Sequence, residues 1–217
     1  MQDPSLTLKV DEKGKTNWDI LRSTDDDDQK EIYGDIEKYS LSHGQLKFDN
    51  RQTDFSLKLD GITHEGKGNF RDIVFDLITT TEIEKVNLTY ENIPYLIDGI
   101  IRGDMNLLVD LDQNKYTFKD NLLNINDLAL SFVGDMLILE EAYLFDISFN
   151  APNNKVSNLF SLIPNAYTQS YDQVTSQGHA SLTGKIKGLY DAEKGTYPSF
   201  VTHAIMQDGR IKYDGFK

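Results

Sequence analysis

The sequence predicts a mainly β protein: a curved, mostly antiparallel sheet forming an open groove or partial barrel, with one or two short helices around residues 155–175. Three observations predict it. Apolar residues recur at every second position in segment after segment, which puts them on one face of a strand. Turn-forming clusters separate those segments. Only one long stretch has its apolar residues at helical spacing.

The strands follow in order. "SLTLKV" offers Leu6, Leu8 and Val10; "GQLKF" offers Leu46 and Phe48; "DFSLKL" offers Phe55, Leu57 and Leu59. "DIVFDL" offers Ile73, Phe75 and Leu77, and "KVNLTY" offers Val86, Leu88 and Tyr90. "DMNLLVDL" contributes Met105, Leu107, Val109 and Leu111, and "KYTF" contributes Tyr116 and Phe118. "LNIND" and "LALSF" supply Leu123, Ile125, Leu128, Leu130 and Phe132; "YLFDISFN" supplies Phe145, Ile147 and Phe149. "FVTHAIM" and "RIKY" repeat the pattern near the end. "DLDQNKYTF" reads as a hairpin around Gln113–Asn114, and "MQDGRIKY" as another around Asp208–Gly209, a pair suited to a type I′ turn. Ten or more short strands with close connections make a meander, because parallel neighbours need crossovers of about a dozen residues.

Three stretches break the rhythm. Residues 17–36 contain the acidic tetrad Asp25–Asp28, which reads as a solvated loop. "ENIPYLIDGII", residues 91–101, reads as a short helical turn before a strand, with Pro94 in its first turn. "NNKVSNLFSLIP" spaces Val156, Leu159, Phe160 and Ile163 as a helix that Pro164 ends or kinks. The helix resumes through Tyr167, Tyr171 and Val174, with Gly178 as its stop. Gly184 and Gly188 then fall on the Ala180–Leu182–Ile186 face of a strand. There they mark either bulges or an inner face that leaves room for a helix or ligand.

Composition bounds the function. The 217 residues suffice for a single β-rich unit, 1–217, yet only 39 % are hydrophobic, which suits a thin sheet with much surface per residue. A net charge of −13 disfavours nucleic acid and electrostatic docking on anionic headgroups, but not an acyl chain, which needs only apolar surface. With no cysteine there is no disulfide, thiolate nucleophile or Cys-ligated zinc. The start of the sequence has no signal-peptide pattern and no segment is apolar enough to span a bilayer, so any membrane anchor is expected outside this segment.

Catalytic patterns are absent. No G-x-S-x-G or phosphate cradle is present. His43, His64, His179 and His203 are scattered, and the first three adjoin or nearly adjoin glycine, which predicts turns or strand ends. The segment from Asp110 starts like a calcium loop but has Lys115 where the loop needs glycine and Asn121 where it needs glutamate. No enzyme activity, metal or other cofactor is therefore expected.

The order of several segments resembles AsmA-like proteins, in the form found in Bacteroidetes. "VDEKGKTNWDIL" is similar to the segment near that family's N-terminus, where a hairpin leads into Asn-Trp-Asp. "YSLSHGQLKFDNRQTDFSLKLDGITHEGKGNF" resembles its strand–turn–strand pattern ending in G-x-G-x-F. "NLLNINDLALSFVGDM" and "SLIPNAY…VTSQGHASLTGKIKGLY" resemble its later strands and Pro-containing helix. The resemblance covers most of the chain. It implies an internal periplasmic segment of a Gram-negative envelope protein, tethered to the inner membrane in the full-length protein. It further implies a role in outer-membrane biogenesis and lipid transport, through a hydrophobic β-groove and without catalytic residues.

The expected groove is lined by Phe55, Leu57, Leu107, Val109, Leu130, Phe132, Ile147 and Phe149. Its partners would be phospholipid or fatty acyl chains, with other envelope proteins. Each buried CH₂ contributes about 0.8 kcal/mol, so a palmitoyl-sized chain gains on the order of 10 kcal/mol before entropic costs. The alternative is a structural or protein-interaction domain with a sealed core, pairing its edge strands with neighbours in envelope assembly. An accessible groove separates the two readings.

Overall fold

The computed structural model describes residues 1–18, 37–140, 142–160, 174–191 and 194–213. They form one ten-stranded sheet in strict chain order: β1 (Ser5–Val10), β2 (Lys38–Asn50), β3 (Phe55–Gly68), β4 (Val74–Tyr90), β5 (Ile93–Asp110), β6 (Lys115–Ile125), β7 (Leu128–Ile138), β8 (Tyr143–Lys155), β9 (Val174–Tyr190) and β10 (Ser199–Tyr213). A five-residue helix, α1 (Val156–Phe160), follows β8. From β2 onward every pairing is antiparallel, while β1 runs parallel to β2. Among the described residues the sheet does not close, and β1 and β10 are its edges.

Turn chemistry sets the hairpins. Glu91 and Asn92 both have positive φ (48° and 61°), the type I′ conformation whose twist matches the flanking strands. Residues 93–101 are therefore the start of β5 and not a helical turn, and Pro94 lies opposite Thr89 in the ladder. The hairpin at Gln113–Asn114 forms as expected, with the Asp110 Oδ1 accepting from the Gln113 N–H at 2.9 Å. Ile73 and Leu111 fall just outside β4 and β5, and both are exposed.

The strands are long, up to 18 residues in β5, because they run through bulges rather than ending at them. One row of irregularities crosses β2 to β5: His43 (φ 52°), Gly61 (φ 68°), Glu84–Lys85 and Asp98 (φ 48°). Ile83 and Val86 are both buried while Glu84 and Lys85 between them are exposed, so the alternation changes phase but the buried face continues. Asp208–Gly209 is likewise a bulge within β10 and not a hairpin, since pairing with β9 resumes at Arg210 after Gln207. Gly178 (φ 94°) lies opposite it, where an added Cβ would come within 2.6 Å of the Asp208 carbonyl oxygen. Gly178 is thus inside β9 and not a helix stop, and Val174 begins that strand. The remainder of the expected helix, 161–173, and the tetrad Asp25–Asp28 lie outside the described residues.

Asparagines complete the ladder where bulges interrupt it. The buried Asn121 accepts from the Asn106 N–H (2.9 Å) through Oδ1 and donates to the Phe132 carbonyl (3.2 Å) through Nδ2. Asn154, also buried, bonds both the N–H (3.1 Å) and the carbonyl (3.2 Å) of Ala129. An amide side chain carries one acceptor and a donor pair, so it can replace a missing peptide group. Asn121→Ala is expected to cost about 2 kcal/mol, because it leaves both backbone groups unpaired in a part-buried place. Urea unfolding measures this, with Asn121→Asp, which keeps the acceptor, falling in between.

The two faces differ. Outward positions carry charge: Arg102 pairs with Glu82 (2.9 Å), Lys119 with Asp76, Lys115 with Asp135 (3.1 Å), and Asp146 with Lys185 (2.6 Å) and Lys187 (3.1 Å). A hydrogen bond from the Thr117 hydroxyl, and the Lys115 ammonium after it, hold Asp135 below the usual carboxylate value. On this side Ile78, Leu122 and Val133 stand among polar neighbours, while Leu137, Leu144 and Leu189 make one short apolar row across β7 to β9. The inward positions are apolar nearly throughout. Substantial contacts run only between neighbouring strands and between α1 and β8 or β9, so among the described residues no second layer covers this face. The accessible surface, 15384 Å², compares with roughly 10,000 Å² for a compact monomer of this mass.

Candidate functional site

The inward face is built from rows of side chains that directly paired residues place side by side. One row runs without interruption from β4 to β10: Leu77, Leu107, Phe118, Gly134, Ile147, Ile186, Phe200. Seven strands at about 4.8 Å spacing make this belt about 29 Å wide. The row beside it holds Phe75, Val109, Tyr116, Met136 and Phe145.

All eight residues expected to line a groove lie on this face. Leu107, Val109, Leu130, Phe132, Ile147 and Phe149 form one contiguous patch over β5 to β8. Phe55 and Leu57 sit at the far end of β3, paired with Tyr90 and Leu88, in a second cluster where Phe48 meets Phe55 (5.8 Å) and Trp18 (6.3 Å). Val109 is buried; the other seven are part-exposed.

Aromatic rings tile the belt. Phe118 contacts Phe132 at 5.3 Å, and Phe149 stacks on Phe200 at 5.8 Å with an interplanar angle of 15°. Gly184 makes the second contact possible: a Cβ there would lie 2.3 Å from the Phe149 ring. The space beside Gly184 on the inner face is taken by the Phe149 ring and not by a helix or ligand. The ladders on both sides of Gly184 are regular, so it is not a bulge.

A cleft of about 790 Å³ opens at the other end of the same face, lined by Leu6, Tyr39, Leu41, Leu46, Ile62 and His64. This is within the range of small-molecule sites. One wall is polar. The Tyr39 hydroxyl bonds the His64 Nε2 at 3.0 Å, and the His64 Nδ1 bonds the Thr81 hydroxyl at 2.7 Å. His64 is therefore in mid-strand on the inward face, not at a strand end, and His179 is also inside a strand. The signal was present in the alternation Ile62, His64, Gly66, which places His64 in the apolar phase of β3.

Burial pushes the His64 imidazole below its ordinary value and the Tyr39 hydroxyl above its own. The neutral ring, donating one bond and accepting the other, is the native form. The unfolded chain then takes up a proton near pH 6.5, where the native chain does not. Stability is present above that pH and is lost as pH falls below it, until native His64 also protonates. His64→Gln is expected to flatten this part of the stability–pH curve, measured by urea midpoints between pH 7.5 and 5.5.

Among the described residues no group of His, Asp and Glu is arranged to hold a metal ion, and no helix is long and apolar enough to cross a membrane. Comparison with known protein families, with curated proteins and with solved structures gave no match.

Proposed function

We propose that the chain is a non-enzymatic lipid-handling module whose inward face takes acyl chains while the headgroups stay in water. The observation that carries this reading is the apolar belt from β4 to β10, which no other element covers among the described residues and which an apolar cleft continues at one end. Large contiguous apolar surface is rarely left open without a use. The belt is longer than one leaflet's share of a roughly 30 Å bilayer core, so an acyl chain can lie along it. The charged outward face keeps such a sheet in solution. A sealed structural domain would need a second layer over the belt.

The resemblance to AsmA-like proteins supports a setting for this activity: the periplasm of a Gram-negative envelope, in outer-membrane biogenesis, with an inner-membrane tether outside this segment. The test is native mass spectrometry of the folded chain after incubation with phosphatidylethanolamine–phosphatidylglycerol vesicles, followed by organic extraction. A stoichiometric phospholipid or fatty acid adduct is expected. A folded chain that carries no lipid would sink the proposal and return the reading to a structural domain.

A further inference from the structure

The two edges of the sheet are unlike. β1 is short, and Asn17 already satisfies part of it by accepting from the Lys9 N–H (2.7 Å) and donating to the Thr7 carbonyl (2.9 Å). β10 is 15 residues long, and among the described residues no strand pairs with its outer side. Its side chains leave that edge unprotected. Phe200, Val201, Ile205 and Met206 are each half or more exposed, and Ser199–Gln207 contains no acidic residue, no lysine or arginine and no proline. Natural edge strands usually carry such features to prevent pairing.

The direction of the backbone follows from one contact. The Val201 carbonyl points to β9, where it would lie 2.5 Å from a Cβ on Gly184. Alternation along an antiparallel ladder then turns the N–H and C=O groups of Phe200, Thr202, Ala204 and Met206 outward.

This segment is complementary to itself. Place a second β10 antiparallel beside the first, with the twofold axis at His203. Phe200 then faces Met206 of the other copy on the inward side, and Val201 faces Ile205 on the outward side. Thr202 faces Ala204, and Ser199 faces Gln207. The outward-turned backbone groups meet only each other, so every one of them finds a partner. Moving the register by one step in either direction keeps the hydrogen bonds but sets Phe200 against Ala204, or Val201 against Gln207. The matched stretch is bracketed by Pro198 and by the bulge at Asp208.

We propose that the β10 edge pairs with the same edge of a second copy of this chain, dyad at His203, to form one continuous sheet. The twofold axis is perpendicular to the sheet, so the inward faces of both copies lie on the same side. The apolar belt then passes from Phe200 of one copy to Met206 of the other. The inference stands on the edge geometry and does not require that the belt binds lipid.

The chain has no cysteine, which makes the register directly testable. Opposed residues at the dyad lie about 4.5 Å apart between Cα atoms, within disulfide range. His203→Cys is expected to form a covalent dimer on mild oxidation. Val201→Cys is not, because its own copy across the dyad is four residues away along the strand. Sedimentation at micromolar to submillimolar concentration should give twice the 24.7 kDa monomer mass. Thr202→Pro removes an outward N–H without touching the β9 ladder, and should return the protein to a monomer with an unchanged circular dichroism spectrum. A monomer at all concentrations overturns the proposal. So does a dimer that survives Thr202→Pro, or one in which Val201→Cys cross-links and His203→Cys does not.

Discussion

Gly134→Ala should be among the most destabilising single methyl additions in this chain, lowering stability by about 2–4 kcal/mol. Gly134 has φ 139°, a region that side chains other than hydrogen rarely tolerate. A Cβ there would stand 2.1 Å from the Asp146 carbonyl oxygen and 2.8 Å from the Ile147 Cα, both backbone atoms of the neighbouring strand. Neither can move without opening the β7–β8 ladder. Gly103→Ala is the matching control. Its φ is ordinary for a strand, and the nearest atom to its Cβ, at 3.1 Å, is the flexible end of Met105. Urea midpoints should place Gly103→Ala within about 1 kcal/mol of the parent and Gly134→Ala far below it. Equal effects in the two would show that the close approach of β8 to Gly134 is wrong.

Ile147→Lys should weaken binding of a fluorescent fatty acid by tenfold or more, which is about 1.4 kcal/mol or more. Ile147 lies in the middle of the belt between Gly134 and Ile186. An acyl chain lying over it would have to desolvate the ammonium or detour around it. Without ligand the lysine can reach water across the open face, so folding should change little. Val133→Lys adds the same charge one position from Gly134 but on the outward face, where Val133 is paired with Ser148 and 46 % exposed. It should bind as the parent does. Equal losses in both variants would mean that charge alone matters, and equal retention would remove the belt from the binding surface.

The strand-phase pattern made the composition of the inward face readable. Phe55, Leu107, Phe132 and Phe149 fall on it because alternation is a local property of the backbone, and a burial pattern with period two survives whatever the partner strands are. The strand count was harder to read. "DIVFDL" and "KVNLTY" look like two short strands, as do "FVTHAIM" and "RIKY", yet each pair belongs to one strand, β4 and β10. In both cases a bulge shifts the phase by one residue between the halves. From sequence, a phase shift with Asp-Gly in it looks the same as a turn; only the continuing partner strand tells them apart. The helical turn expected before the strand in residues 91–101 is absent for a related reason, since the two positive-φ residues Glu91 and Asn92 close a hairpin that no glycine announces.

His64 shows the same division. Its place in the apolar phase of β3 could be read from Ile62 and Gly66. Its bonds to Tyr39 and Thr81 could not, because they join β2, β3 and β4 across the sheet. The sequence by itself determined that this chain makes a sheet with one apolar and one charged face, since side-chain alternation and turn chemistry act within a few residues. The tertiary structure alone decided that the strands run in one unbroken order and that, among the described residues, nothing covers the apolar face and no strand pairs with the outer side of β10. Those outcomes depend on which strand pairs with which and on what packs above them, and local physics does not encode either.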